Sequence, residues 1–294
     1  MVQGKNKLFR ASFEQSKKIV KKEILTRDGA KIGISSSMSF WTRVSGLIAL
    51  AFSFIMYGVG IYLPDNMRES TKGVQVISES TGTLIGEIGL YLRPLILALV
   101  ILLSVIIILD IFPKINYAYQ LLYGNTFVVI SAIAMLVSSL PLTIGLTIGA
   151  FGVLAFMVQL LISVYLFKIM IVDQMNQFKN SIYNENEVES KDLGTPLMNF
   201  IKKYGGILLG LSVLNRWTFN FGEFSKENPG LMSFLSGWMF LLFIALLFFA
   251  EGLALKNFIK SFYFFKYRKE YREYFNITNE QWYGKFFARF MSKS

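Results

Sequence analysis

The stretch that decides the fold is residues 115–167, INYAYQLLYGNTFVVISAIAMLVSSLPLTIGLTIGAFGVLAFMVQLLISVYLF. It contains no Asp, Glu, Lys or Arg, and it is bracketed by Lys114 and Lys168. A helix needs about 20 mostly apolar residues to cross the hydrocarbon of a bilayer. The stretch therefore predicts two membrane crossings joined by a tight turn, which the sequence Ser-Ser-Leu-Pro-Leu-Thr places at residues 138–143.

The composition agrees with lipid as the solvent and excludes several function classes. Of the 294 residues, 53% are hydrophobic and 17% are charged. The chain has no Cys and no His, which excludes thiolate metal sites, disulfides and catalysis that depends on a histidine. It also lacks the glycine-rich motifs that bind nucleotide phosphates. We therefore predict a protein that is not an enzyme and that holds no cofactor or metal.

The apolar segments predict an all-α integral membrane protein with about six transmembrane helices in a domain of residues 40–255. The predicted spans are 40–63, 89–112, 118–139, 143–168, 204–221 and 231–255. Residues 1–40 hold nine Lys or Arg against three Asp or Glu, and residues 255–294 have the same counts. Positive charge collects on the cytoplasmic side of membrane proteins, so both termini are predicted to be cytoplasmic, which an even number of crossings allows. No cleavable signal peptide is expected.

Two polar segments flank the predicted membrane domain. In the basic segment 1–39, apolar residues recur at roughly helical spacing over 8–25, which indicates an amphipathic helix. That helix would lie on the membrane surface or pack on the protein's own cytoplasmic loops, and the sequence favours neither. Residues 256–294 form an aromatic and basic tail. Such a mixture resembles a surface for stacking nucleic-acid bases, but directly after a spanning helix it favours contact with lipid or a partner, and no nucleic acid is expected.

A stripe of small and polar residues marks the predicted fourth span. Its members recur every three or four residues and are Gly145, Gly149, Gly152, Gln159 and Ser163. Small residues at this spacing let a second helix approach closely, so a helix–helix seam is the favoured interpretation and a pore lining is the alternative.

Four further residues are candidates for functional or gating roles. Asp110 and Glu251 are predicted near the cytoplasmic ends of their spans, where they would form a gate or docking site or would simply end the helices. Lys114 follows Asp110 by four residues, so the two side chains are predicted to form an ion pair on one face of a helix. Asn215 and Arg216 interrupt the short fifth span. Interrupted helices in a membrane usually border a cavity, so the two residues are predicted to lie next to one. The alternative is that Arg216 lies at the membrane interface and contacts lipid phosphate.

From these features we expect a multi-pass, permease-like transport or translocation subunit that is not catalytic by itself and acts with partner subunits. The alternative is a non-enzymatic scaffold of a secretion or assembly complex, or an immunity-type membrane protein. A lipid-modifying enzyme is disfavoured because few acidic residues lie near the predicted cytoplasmic face. Membrane lipids and other protein subunits are the expected partners. The Lys, Asn, Ile and Phe bias suggests a bacterial cytoplasmic membrane as the location.

Overall fold

The computed structural model of the chain describes residues 7–25, 36–69, 77–112, 114–183, 194–215 and 231–291. All regular structure in these ranges is helical. The helices are α1 (Phe13–Ser16), α2 (Phe40–Glu69), α3 (Glu79–Asp110), α4 (Tyr117–Tyr183), α5 (Gly194–Leu214), α6 (Leu231–Ser236), α7 (Met239–Lys266), α8 (Arg268–Tyr274) and α9 (Asn279–Met291). Helix α2 includes a 3₁₀ turn at Gly46–Ala49 and a π turn at Gly58–Tyr62, and α4 includes a π turn at Lys168–Val172.

Five of the helices in the described part of the chain are long and apolar enough to cross a membrane: α2, α3, α4, α7 and the stretch Leu197–Leu214 of α5. At most 33% of the residues in the most apolar window of each are buried inside the chain. A water-soluble monomer rarely exposes apolar surface on this scale. The helices therefore fit a protein whose outer surface contacts lipid.

Helix α4 reverses direction at Gly152, so the predicted turn at 138–143 is wrong. Gly152 has φ 83° and ψ 168°, a backbone conformation that only glycine adopts readily. Tyr117 and Ile182, near the two ends of α4, lie in one hydrophobic cluster, which requires the two arms (117–151 and 153–183) to run back along each other. The uncharged stretch is thus a helical hairpin, as the sequence indicates, with its turn about ten residues later.

Helices α3 and α7 pack along the first arm of α4, and both run antiparallel to it. Gly145 and Gly149 of the first arm lie against Ile85 and Thr81 of α3. On the other side, the backbone N–H of Phe240 in α7 donates to the Thr147 hydroxyl at 3.3 Å. The second arm runs parallel to α7, because ring contacts pair 156 with 240 and 167 with 248. These helices form a bundle with two ends: the break end, around Gly152, and the tail end, around Tyr117.

Several helices extend beyond the predicted spans. Helix α3 begins ten residues before predicted span 89–112, and Pro94 lies in its interior rather than in its first turn. The predicted span 231–255 is divided at 237–238 into α6 and α7, and α7 continues to Lys266. Helix α5 begins ten residues before predicted span 204–221; the part of that span from 216 onward lies outside the described residues.

The N-terminal segment does not form the continuous amphipathic helix expected over 8–25. It contains only the four-residue α1 and a 3₁₀ turn at Lys22–Ile24. Instead its backbone is held by tyrosine hydroxyls at the tail end: that of Tyr263 donates to the carbonyl of Leu8 at 2.6 Å, and that of Tyr117 to the carbonyl of Ile24 at 2.7 Å. The segment therefore packs on the tail end of the bundle.

Candidate functional site at the helix breaks

Two interruptions of helical structure meet at the break end of the bundle. The first is the reversal at Gly152, and the second is the step at Gly237 between α6 and α7. The ring of Phe151 packs so closely on Gly237 that a side chain at position 237 would collide with it. Phe151 also makes edge-on ring contacts with Phe234 and Trp238. The two breaks are thus held together by aromatic packing.

Two amide side chains bond the backbone carbonyls at these breaks. Gln159, in the second arm of α4, donates from Nε2 to the carbonyl oxygen of Gly237 at 2.7 Å. Asn215, directly after α5, donates from Nδ2 to the carbonyl oxygen of Phe151 at 3.1 Å. A broken helix leaves carbonyl groups without their usual N–H partner, and a buried carbonyl needs a substitute. The two amide nitrogens provide that substitute.

The oxygen atoms of the same two amides have no donor. Gln159 Oε1 and Asn215 Oδ1 are buried, and neither receives a hydrogen bond from the described residues. The Gln159 side chain is enclosed, with 5% of its residue surface exposed. A buried acceptor left without a donor costs about 1–3 kcal/mol. Two such atoms in one place make this a candidate site for hydrogen bonds from a bound molecule.

A cavity of about 120 Å³ lies between α4, α5 and Trp238 at this position. We call it the break cavity. Its lining is mostly apolar and includes both amides, and its residues are Phe151, Ala155, Val158, Gln159, Ile162, Leu208, Leu211, Ser212, Asn215 and Trp238. The Ser212 hydroxyl donates to the carbonyl of Leu208 at 2.8 Å. None of these described lining residues carries a charge.

Comparison with protein-family models, curated proteins and solved structures finds no match. The function must therefore be inferred from the residues of the chain. Among the described residues, no group of three or more acidic side chains is placed to hold a metal ion. The chemistry that the break cavity offers is hydrogen bonding and apolar contact.

The structure brings together two of the residues that the sequence singled out, and it divides the predicted stripe. Asn215 and Gln159 line the break cavity. Gly145 and Gly149, in the first arm of α4, face α3, as a close helix–helix seam requires. Ser163, in the second arm, is buried, and its hydroxyl donates to the carbonyl of Leu160. The stripe does not run along one helix, because Gly152 breaks it. Arg216 lies outside the described residues.

Asp110 belongs to a second polar cluster, near the tail end, which we call the arginine cluster. Arg43 and Asp110 are 3% and 4% exposed, so both charges are almost fully buried. Arg43 donates to the carbonyls of Ser37 and Ile111 at 3.2 and 3.3 Å, and Gln120 donates to Asp110 at 2.7 Å. The Asp110 carboxylate acts electrostatically on the Arg43 guanidinium. The cluster joins the start of α2 to the C-terminal end of α3 and the start of α4.

Lys114 does not follow Asp110 on the same helix, as the sequence predicted, because α3 ends at Asp110. Its ammonium instead donates to the carbonyl of Leu109 at 3.0 Å and lies 4.0 Å from the ring centre of Tyr123. Burial lowers the pKa of the Lys114 ammonium, and the Asp110 carboxylate partly opposes that shift. Lys114 is therefore at the edge of the arginine cluster.

Glu251 lies in the middle of α7 rather than near its end. It is eleven residues after Phe240 and thirteen before Phe264, which puts it about 17 Å and 20 Å from those residues along the helix. One of its carboxyl oxygens, Oε2, is buried with no hydrogen bond from the described residues. Glu251 is not among the lining residues of the break cavity.

Sequence reasoning missed most of the break cavity. Phe151, Ser212 and Trp238 carry no motif, and their proximity depends on the reversal at Gly152. The sequence also gave no reason to connect Arg43 with Gln120, which lie far apart in the chain. The detectable signal was the pair of glycines at 152 and 237 within otherwise continuous apolar segments, because such glycines often mark backbone that departs from a regular helix.

Proposed function

We propose that the chain is a multi-pass membrane transport or translocation subunit whose substrate contacts the break cavity. The observation that carries the proposal is the pair of buried amide oxygens at two adjoining helix breaks. Non-helical backbone inside membrane proteins is tolerated where it is buried in protein or lines a cavity, and transporters use such broken helices to bind their substrates. The subunit is not catalytic by itself and acts with partner subunits.

The proposed threading has six crossings, because the two arms of α4 each count as one. Both tails then face the same compartment. Their excess of Lys and Arg favours the cytoplasmic side of a bacterial cytoplasmic membrane. The packing of the N-terminal segment on the C-terminal region at the tail end supports a shared compartment, since the hydroxyls of Tyr263, Tyr267 and Tyr271 bond that segment.

Tags at Val2 and Ser294 test the threading in intact cells. Both tags are expected to resist an externally added protease and to become accessible only after the membrane is permeabilised. Cleavage of one tag but not the other in intact cells contradicts an even number of crossings. Cleavage of both contradicts the cytoplasmic assignment.

Transport is tested by comparing cells that make the native chain with cells that make Gln159→Met. Uptake and export are measured over a panel of labelled solutes, with membrane levels of the protein matched. We expect the flux of at least one solute to depend on the native chain and to fall in the variant. Gln177→Met, on the same arm of α4 but away from the break cavity, is the matched control and leaves the flux unchanged.

The second candidate function is a non-enzymatic scaffold of a secretion or assembly complex, or an immunity-type protein. It is favoured by α5, because none of the residues in the apolar window of this helix is buried inside the chain. A helix so placed offers most of its apolar surface to lipid or to a partner subunit. The scaffold is favoured over the transporter if the chain forms a stable complex with other membrane proteins and the flux of every solute is the same with and without it.

A further inference from the structure

The break cavity also restricts the chemistry of the molecule that it binds. We propose that it binds a small, neutral molecule with an apolar body and at least two hydrogen-bond donors on one side. Because this proposal names the class of substrate, it rests on the proposed transport function. Three properties of the cavity support this proposal: the polar atoms that it offers, its charge and its size.

The two amide side chains among the described lining residues offer acceptors to a ligand. The amide nitrogens of Gln159 and Asn215 already donate to backbone carbonyls, so only their oxygens remain. The hydroxyl hydrogen of Ser212 is likewise used by the carbonyl of Leu208. A ligand that carries only acceptors, such as a carboxylate or a phosphate, would leave both amide oxygens without a donor. A ligand with N–H or O–H groups satisfies both amide oxygens.

The absence of charge among the lining residues that the structure describes favours a neutral molecule. Removing an ion from water into an apolar site costs many kcal/mol unless an opposite charge pairs with it. The described part of the lining contains no Asp or Glu to pair with a cation. The rings of Phe151 and Trp238 would offer a cation some attraction, but a cation–π contact contributes only about 0.5–2 kcal/mol.

The volume limits the ligand to about the size of a benzene ring. A cavity of roughly 150 Å³ lined by Leu, Ile and Phe in another protein holds benzene. The break cavity, at about 120 Å³, is slightly smaller and has a similar apolar lining. An aromatic amine or a small primary amide has this size and the required donors.

Three fluorinated probes of nearly the same shape test the proposal on the full chain in lipid nanodiscs. The probes are 4-fluoroaniline, which is neutral with two donor hydrogens, 4-fluorotoluene, which has none, and 4-fluorobenzylamine, which is a cation at neutral pH. Binding is followed by ¹⁹F NMR, with empty nanodiscs of the same lipids to subtract partition into the bilayer. We expect 4-fluoroaniline to bind about tenfold more tightly than 4-fluorotoluene, from two hydrogen bonds of ordinary net strength.

Variants assign the preference to the two amides. In Gln159→Met or Asn215→Leu, the preference for 4-fluoroaniline is expected to shrink to about threefold or less, while Gln177→Met keeps it. Circular dichroism and size-exclusion profiles matching the native chain establish that the variants are folded. If a cavity variant fails to fold, competition between 4-fluoroaniline and unlabelled aniline on the native chain still distinguishes a saturable site from partition.

Three outcomes overturn the proposal: equal binding of the aniline and toluene probes, tightest binding of the cationic probe, or no saturable binding of any probe. Failure of the transport function is a different result. Donor-selective binding without any solute flux leaves the site in place and removes the transport proposal. Solute flux that does not change in Gln159→Met removes the ligand proposal and leaves transport to another part of the chain.

Discussion

Asn215 Nδ2 lies 3.1 Å from the carbonyl oxygen of Phe151, so the end of α5 is bonded to the residue that precedes the reversal of α4. The two residues are 64 positions apart in the chain. Their contact depends on the backbone of Gly152, because the direction of the Phe151 carbonyl is set by the dihedral angles at the break. The geometry of the break cavity is therefore linked to a single glycine.

Gly152→Ala is expected to destabilise the protein by about 1–3 kcal/mol, because a side chain is strained at φ 83° and ψ 168°. The free energy of unfolding in detergent is the measurement. Gly206→Ala in α5 is the matched control, since a Cβ there meets no atom within 4 Å. Alanine in a helix interior is favoured over glycine by roughly 0.5–1 kcal/mol, so the control is unchanged or slightly stabilised. Equal effects of the two substitutions would show that residue 152 is not strained.

The seam between α3 and α4 provides a second prediction. Gly145→Leu is expected to cost about 1–3 kcal/mol, because the new side chain collides with Ile85. Gly210→Leu in α5 has open space around it and is expected to cost less than 1 kcal/mol. The double variant Gly145→Leu with Ile85→Ala recovers part of the loss. A double variant less stable than the sum of the single changes contradicts this packing.

The arginine cluster predicts a large effect at Asp110. Asp110→Asn removes the buried negative charge that acts electrostatically on Arg43 and accepts from Gln120, and losing a hydrogen bond to a charged group costs about 1.5–3 kcal/mol. Asp65→Asn is the control: its ion pair with Arg93 is about one-third exposed, so its loss is expected to cost about 1 kcal/mol or less. Unfolding of both variants in detergent gives the comparison.

A double-mutant cycle separates the charge pair from the packing around it. Arg43→Met combined with Asp110→Leu is expected to be less destabilising than the sum of the two single substitutions, because neither charge is then left buried alone. Additive effects would show that the two residues contribute independently to stability.

The tail end provides a pH prediction. The Tyr271 phenol lies 2.7 Å from the Ser16 hydroxyl; because Ser16 donates its hydrogen to the carbonyl of Phe13, Tyr271 is the donor. Burial raises the pKa of Tyr271, because the charged phenolate is disfavoured away from water. A raised pKa means that the folded state favours the protonated phenol. Its contribution is therefore complete below about pH 10, the ordinary tyrosine value, and is lost as the pH rises above it.

At pH 8, the free energy of unfolding of Tyr271→Phe is expected to be about 1 kcal/mol lower than that of the native chain. Between pH 9 and pH 11, the variant is expected to lose less stability than the native chain does. Tyr274→Phe is the control, because that ring is more than half exposed. Thermal unfolding across this pH range is the measurement. An unchanged alkaline slope in Tyr271→Phe would assign the pH dependence to other groups.

The sequence by itself indicated much of the helical structure and an apolar surrounding. Fifty-three consecutive residues without a charge are compatible with helices that lie in lipid. The small residues at 145 and 149 were also enough to predict a close seam, because close approach of two helices requires small side chains. These properties are local, so periodicity and composition reveal them.

The tertiary structure decided where the hairpin turns and which polar groups meet. A span of about 20 residues was assumed, which put the turn at 138–143, but the first arm of α4 has 35 residues and extends about 52 Å. Pro141 remains within that arm, where hydroxyls of Ser139 and Thr143 bond nearby backbone carbonyls. The meeting of Gln159, Asn215 and Gly237 follows from the reversal at Gly152. No local pattern determines it, because contacts between residues far apart in the chain depend on how all the helices pack.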